Sequence, residues 1–258
     1  MSSHARYEQH GDVGELALDA PPLNLFGPQM LDGLTAALED VERASPRALI
    51  VRAESDVFSA GADVAVFAEL DARSASAFTE RLLGFAHAVE DLPFPTLAVV
   101  HGLCLTAGLE LSLACDLMWA GEGVRFGLVE AVVGITPLMG GTQRMAERAG
   151  TARAREFVMT GGLYTAETLH HWGVVNRVLP AAELLECGRS FAARLAAGPT
   201  QAHTATKRIV RAQADHGTRG ADERTAELTS HLFETEDARN AVSSFLEHGP
   251  GKAHFTGR

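Results

Sequence analysis

The stretch from Leu97 to Ala120 limits this chain more than any other feature. It is the most apolar part of the sequence and approaches bilayer-spanning length, yet it contains His101, Glu110 and Asp116. A membrane helix needs ~20 residues with few or no charges, because ionised groups are expensive in hydrocarbon. The stretch therefore reads as a buried core segment, and no membrane is expected as a partner. Burial carries its own cost, since an unpaired carboxylate in apolar surroundings is strongly unfavourable. Glu110 and Asp116 must be paired, hydrogen-bonded or put to chemical use.

The segments on either side change period. Gly14 to Leu18 alternates in polarity like a strand, and Ala48 to Val51 and Thr96 to Val100 are short apolar runs bounded by charged or turn-forming residues. Pro28 is placed to open a helix in which Met30, Leu31, Leu34, Leu38 and Val41 recur at helical spacing, and Arg73 to Glu90 reads as a second helix. Strands alternating with helices indicate an α/β core. From about Ala181 the strand signals stop, and Leu184 to Ala197, Thr200 to Asp215, Arg219 to Phe233 and Asp237 to Glu247 read as helices. Gly198-Pro199 gives the least arbitrary division, between a core over residues 1–197 and a helical region over residues 198–258.

Composition removes several classes of function. A chain of 258 residues with 46% hydrophobic content can bury a sizeable core. Its formal charge of −11 opposes binding to phosphate backbones, so no nucleic acid is expected as a partner. Cys104, Cys115 and Cys187 are odd in number, widely spaced and in no CxxC pattern, which indicates neither a disulfide framework nor a thiolate metal site. A reducing, cytoplasmic setting is expected. Met1 to Ala20 carries charges throughout and no apolar core of a signal peptide, so no secretory signal is expected. His170-His171 with Glu167 has no second ligand cluster at zinc-like spacing, and no metal is expected. The nearest approach to a dinucleotide fingerprint, Gly121-Glu122-Gly123-Val124-Arg125-Phe126, lacks its third glycine, and Val57-Phe58-Ser59-Ala60-Gly61 lacks the first glycine of a nucleophile elbow.

Five segments carry a resemblance. They are Phe58-Ser59-Ala60-Gly61-Ala62-Asp63, then His101-Gly102 through Ala107-Gly108-Leu109-Glu110-Leu111 to Ala114-Cys115-Asp116, and Phe126-Gly127-Leu128-Val129-Glu130. Pro137 with Gly140-Gly141-Thr142-Gln143-Arg144 follows, then Thr160-Gly161 with Ala166 and Gly173-Val174-Val175 before Val178-Leu179-Pro180. In order and spacing this set resembles the enoyl-CoA hydratase/isomerase, or crotonase, family along nearly the whole chain.

The resemblance implies a crotonase-like spiral of ββα turns followed by a helical C-terminal region used in assembly, as a homotrimer or a dimer of trimers. It implies an acyl-CoA thioester as substrate, with coenzyme A part of that substrate and no separate cofactor. It makes Glu110 and Glu130, twenty residues apart, the groups that activate a water and deliver a proton. The backbone N–H groups of Ala62 and Ala107 become the oxyanion hole, with Ala60, Ala62, Asp63, Val64 and Ala107 along the thioester and coenzyme A. The expected reaction is syn addition of water to a 2-enoyl-CoA. The alternatives are a double-bond isomerase, another crotonase reaction, or a catalytically silent acyl-CoA-binding protein.

Elementary chemistry agrees with those roles. Hydration puts negative charge on the thioester oxygen, and fixed N–H donors stabilise it without ionising. Leu109, Leu111, Leu113 and Ala114 surround Glu110 in sequence and are expected to raise its pKa by desolvation. Asp116 and His101 read as structural groups. Three departures stand out: Thr106-Ala107-Gly108 where the family carries a glycine run, Val129 where it carries proline, and Ala65 where it often carries a basic residue. Lys207, Arg208 and Lys252 remain as candidates for that missing phosphate contact, against solvated helix or tail positions. Phe67, Leu70, Phe85, Leu138, Met139 and Trp172 fit equally as acyl-pocket wall and as core.

Overall fold

The computed structural model describes residues 4–258, so residues 1–3, where the Met1 to Ala20 reading begins, lie outside it. Two sheets share the strands. The larger runs in the order β1 (Ala5–His10), β2 (Val13–Leu18), β3 (Ala48–Ala53), β4 (Thr96–Val100), β6 (Leu117–Gly121) and β9 (Arg177–Leu179), and only its β1–β2 pair is antiparallel. The smaller holds β5 (Leu103–Leu105), β7 (Arg125–Gly127) and β8 (Tyr164–Thr165). Parallel bridges from Ser59 to Cys104 and from Phe26 to Ala62 lie beyond its first strand in the same direction.

The helices are α1 (Pro28–Ala44), α2 (Val64–Phe67), α3 (Ala72–Glu90), α4 (Thr106–Ala114), α5 (Gly141–Ala149), α6 (Thr151–Thr160), α7 (Ala166–His171), α8 (Ala181–Ala196), α9 (Thr200–Thr229) and α10 (Glu236–His248). β4, β5 and α4 make one ββα turn, and β6 and β7 with the 3-10 turn Glu130–Val133 and α5 make the next. Each turn gives one strand to each sheet. Because β4 pairs parallel with β6 and β5 with β7, successive turns stack as a spiral. This is the crotonase-like core that the resemblance implies, and the chain ends in helices as expected.

The apolar stretch Leu97 to Ala120 folds back on itself as strand, strand, helix and strand. All nine residues of α4 are buried, which suits a helix built mainly of small and apolar residues on every side. Asp116 ties this segment down. Its Oδ2 accepts the Thr96 N–H at 2.8 Å and the Thr96 hydroxyl at 2.9 Å, and pairs with Lys207 Nζ at 2.9 Å. Lys207 also donates to the carbonyls of Leu92 and Phe94, so its ammonium is committed to the fold rather than held for a phosphate. His101 likewise is structural, its Nε2 lying 2.6 Å from the Ser55 carbonyl.

α8 covers the outer face of the larger sheet through Leu184, Ala192 and Ala196 against Val13, Ile50, Leu97, Val99 and Trp119. The main core fills the other side, between that sheet and α1, α3 and α4. Gly217, at φ 71°, interrupts the long α9 between the two helices read there from sequence. Among the described residues no helix is long and apolar enough to cross a membrane.

Candidate active site

Glu110 sits mid-way along the buried α4, where its carboxylate meets the start of α5. Its Oε1 accepts the N–H groups of Met139 and Gly141, each at 2.8 Å. Those two donors explain the glycines around them. A Cβ on Gly141 would lie 2.7 Å from Glu110 Cγ, so only glycine lets the carboxylate approach. Gly140 is left-handed at φ 90°, and a Cβ there would overlap the Arg144 guanidinium. Arg144 is buried, donates to the carbonyls of Met139 and Gly140 at 3.2 and 3.3 Å, and grips Glu90 with two bonds of 2.6 Å. Glu90 and Arg144 thus brace the turn that holds Glu110.

Glu130 opens the 3-10 turn after β7, only 6% exposed. Its Oε2 is buried and, among the described residues, has no hydrogen-bond partner. An orphaned carboxylate oxygen is rare in a folded protein and marks a place for a ligand or water. Both glutamates line one small cavity with Ala62, Ala107, Phe26, Phe67, Phe78, Leu82, Ile135 and Leu138. Its free volume is about 20 Å³, room for roughly one water.

Burial pushes the Glu110 carboxyl up to about 7, even against the two amide donors and the nearby Arg144 charge. Burial also pushes Glu130 up to about 7, with the charge of Glu110 adding to it. Near neutrality the pair therefore holds about one proton between two sites. Both groups bind protons more tightly folded than unfolded, so their contribution to stability is full below about 4.5 and is lost as pH rises through about 7. Glu110→Gln should accordingly gain stability over the wild type, by about 1–3 kcal/mol, as pH is raised from 5 to 8. Urea unfolding at the two pH values measures it, and an unchanged difference would mean that Glu110 is not desolvated.

Ala62 and Ala107, whose N–H groups are the expected oxyanion donors, both line this cavity. Gly108 makes that possible, since a Cβ there would come within 2.5 Å of Ser59 Cβ. The Ala107 N–H lies in the first turn of α4, where an amide has no intrahelical acceptor. The Ala62 N–H is occupied, donating to the Thr106 hydroxyl at 2.7 Å. Ala60 and Val64 do not line the inner cavity: the Ala60 N–H bonds the Leu23 carbonyl, and Val64 is exposed. Asp63 caps α2 through the Ala65 N–H. It also borders a separate open cleft of about 720 Å³ with Ala20, Pro22, Leu25 and Gln29.

Of the wall candidates, Phe67 and Leu138 line the cavity, whereas Phe85 and Met139 are core and Trp172 packs edge-on against Phe157 and tilted against Tyr164. Phe26, Phe78, Leu82 and Ile135 are wall residues without a local sequence signal. Arg208 and Lys252 are exposed, and His170 Nδ1 lies 2.8 Å from the Val175 carbonyl.

A ββα spiral that buries two high-pKa carboxyls in one largely apolar cavity brings together groups able to exchange protons near neutrality. Comparison with known proteins identifies the class. The family described as enoyl-CoA hydratase/isomerase matches residues 8–258, and the chain belongs to it. It is 31% identical over 238 residues to a Bacillus subtilis (strain 168) protein named "Probable enoyl-CoA hydratase", covering 91% of this chain and 92% of that one. It is 32% identical over 219 residues to the 2,3-dehydroadipyl-CoA hydratase of Escherichia coli (strain K12), covering 85% and 84%. A crystallised enoyl-CoA hydratase from Geobacillus kaustophilus HTA426 superposes with a TM-score of 0.94 at 28% identity, covering 100% of this chain and 98% of that one.

Proposed function

We propose that the protein hydrates 2-enoyl-CoA thioesters whose acyl chains are short and uncharged. The observation that carries this reading is the pairing of Glu110 with an unpartnered Glu130 oxygen across a cavity the size of one water. Glu110 has the better-supported anion, because two N–H groups already donate to it. It therefore acts as the base that takes a proton as water attacks Cβ. Glu130 holds the shared proton and delivers it to Cα. The pair begins with its proton on Glu130, which goes to Cα, and ends with one on Glu110, which comes from the water, so its total charge is unchanged.

The cavity walls bear on the acyl group. Apart from the two glutamates every lining residue is apolar, so nothing there answers a charged chain end. The E. coli relative is named for a substrate whose chain ends in a carboxylate, and this wall has no cation for one. The outer cleft beside Asp63 and Gln29 is large enough for the coenzyme A moiety. Incubation with crotonyl-CoA, a long enoyl-CoA and a carboxylated enoyl-CoA in heavy-oxygen water tests this directly. Label at Cβ of the crotonyl product is expected, with little from the other two. Double-bond migration without label would instead establish an isomerase.

The same reading includes assembly as a trimer or dimer of trimers. Val132, Val133 and Met159 on the spiral, and Phe233, Val242, Phe245 and Leu246 near the C-terminus, expose apolar surface that self-association would cover. Light scattering at micromolar concentration should give three or six times 27.4 kDa. A monomer would remove this part of the reading.

A further inference from the structure

Thr106 stands where the backbone disfavours it. Its φ is 43°, in the left-handed region that β-branched residues rarely enter. The side chain is nonetheless buried and committed: its Oγ1 accepts the Ala62 N–H at 2.7 Å. The opposing loop is built to admit it, because a Cβ on Gly61 would overlap that hydroxyl oxygen. A hydroxyl carries one proton as well as two lone pairs, and among the described residues no acceptor takes the proton of Thr106. The residues on either side of this contact, Ala62 and Ala107, both line the cavity that holds Glu110 and Glu130.

We propose that Thr106 is itself an oxyanion donor, so that the thioester oxygen is held by the Thr106 O–H and the Ala107 N–H, with the Ala62 N–H acting from behind. This rests on the acyl-thioester reading of the cavity. A hydroxyl that accepts a hydrogen bond becomes a better donor, and an O–H to a developing oxyanion makes a short, charge-assisted bond. The Ala62 N–H fixes the hydroxyl before substrate arrives, so little reorganisation is needed as charge develops. The competing arrangement has Thr106 rotate away and leave Ala62 to donate directly.

Infrared spectroscopy of butyryl-CoA labelled with carbon-13 at its carbonyl separates the two. This ligand cannot be hydrated, so its carbonyl band reports hydrogen bonding whatever the reaction. In the wild type the band should move to lower frequency on binding. Thr106→Val, which keeps the shape and puts a methyl in place of the hydroxyl, should lose much of that shift and lower kcat by about 10²-fold. Thr106→Ser should keep both. An unchanged band in a folded Thr106→Val overturns the proposal, as does a larger shift.

A crystal structure of the wild type with butyryl-CoA gives a check that needs no variant. Thr106 Oγ1 and Ala107 N on the thioester oxygen, with Ala62 N still on Thr106, supports the proposal. An oxygen bonded to Ala62 N with Thr106 turned away overturns it. If the wild type binds the ligand with no band shift, or does not bind it, the acyl-thioester reading fails and Thr106 falls with it.

Discussion

Glu110→Gln and Glu130→Gln should each slow hydration by about 10²–10⁴, the range for losing a positioned acid or base. Glutamine keeps the shape of both side chains, and in Glu110→Gln its amide oxygen can still accept the Met139 and Gly141 N–H groups that hold Oε1 now. The fold and the affinity for butyryl-CoA should therefore change little, which places the loss in kcat. The two effects should not multiply. Both carboxyls face one cavity with room for about one water, so the second substitution removes a group whose partner in proton transfer is already gone. Full activity in Glu130→Gln would end the two-carboxyl mechanism. If Glu110→Gln left double-bond migration intact while Glu130→Gln abolished it, a one-base isomerase would replace the hydratase. Val129 in place of proline would then gain a catalytic meaning.

The parts of the fold that show in the sequence are those with a long or strict period. α1 and α3 announce themselves through apolar residues at helical spacing, β3 and β4 through short apolar runs, and β2 through alternating polarity, although all six of its residues are buried. β1 is polar and half exposed, so it carries no such run, and β5, β7, β8 and β9 are two or three residues long. Such strands exist because neighbouring turns of the spiral pair with them, a cause that no local window contains.

The site divides in the same way. Glu110 is legible because a carboxylate in an apolar run demands a reason, and the resemblance adds Glu130. The Thr106 hydroxyl on the Ala62 amide is not legible, since the two residues are forty-four positions apart and meet only when α4 docks against the 59–63 loop. The cavity wall is equally hidden. Phe26, Phe78, Leu82 and Ile135 come from three separate segments, Phe78 and Leu82 sharing α3, and each reads locally as ordinary core.

Arg144→Met should be the most damaging substitution outside the cavity itself. The guanidinium is buried and bonded twice to Glu90, and removing one member of a buried pair costs about 3–5 kcal/mol. Burial works against ionisation of Glu90, but Arg144 and then Arg211 outweigh it and hold that carboxyl below its ordinary range. Arg211 stays at 2.8 Å after the substitution, so the loss should fall at the low end, about 3 kcal/mol. Thermal or urea unfolding measures it.

Activity should fall as well, because Arg144 also binds the carbonyls of Met139 and Gly140, whose turn presents the two N–H groups to Glu110. These two effects come apart in the double variant Glu90→Leu/Arg144→Met. Replacing both members of a buried ion pair by apolar residues is often close to neutral, so much of the stability should return. The carbonyls of the turn remain without their donor, and kcat should stay low. Recovery of stability and kcat together would show that Arg144 supports the fold alone. Recovery of stability without kcat would identify it as the residue that aims Glu110.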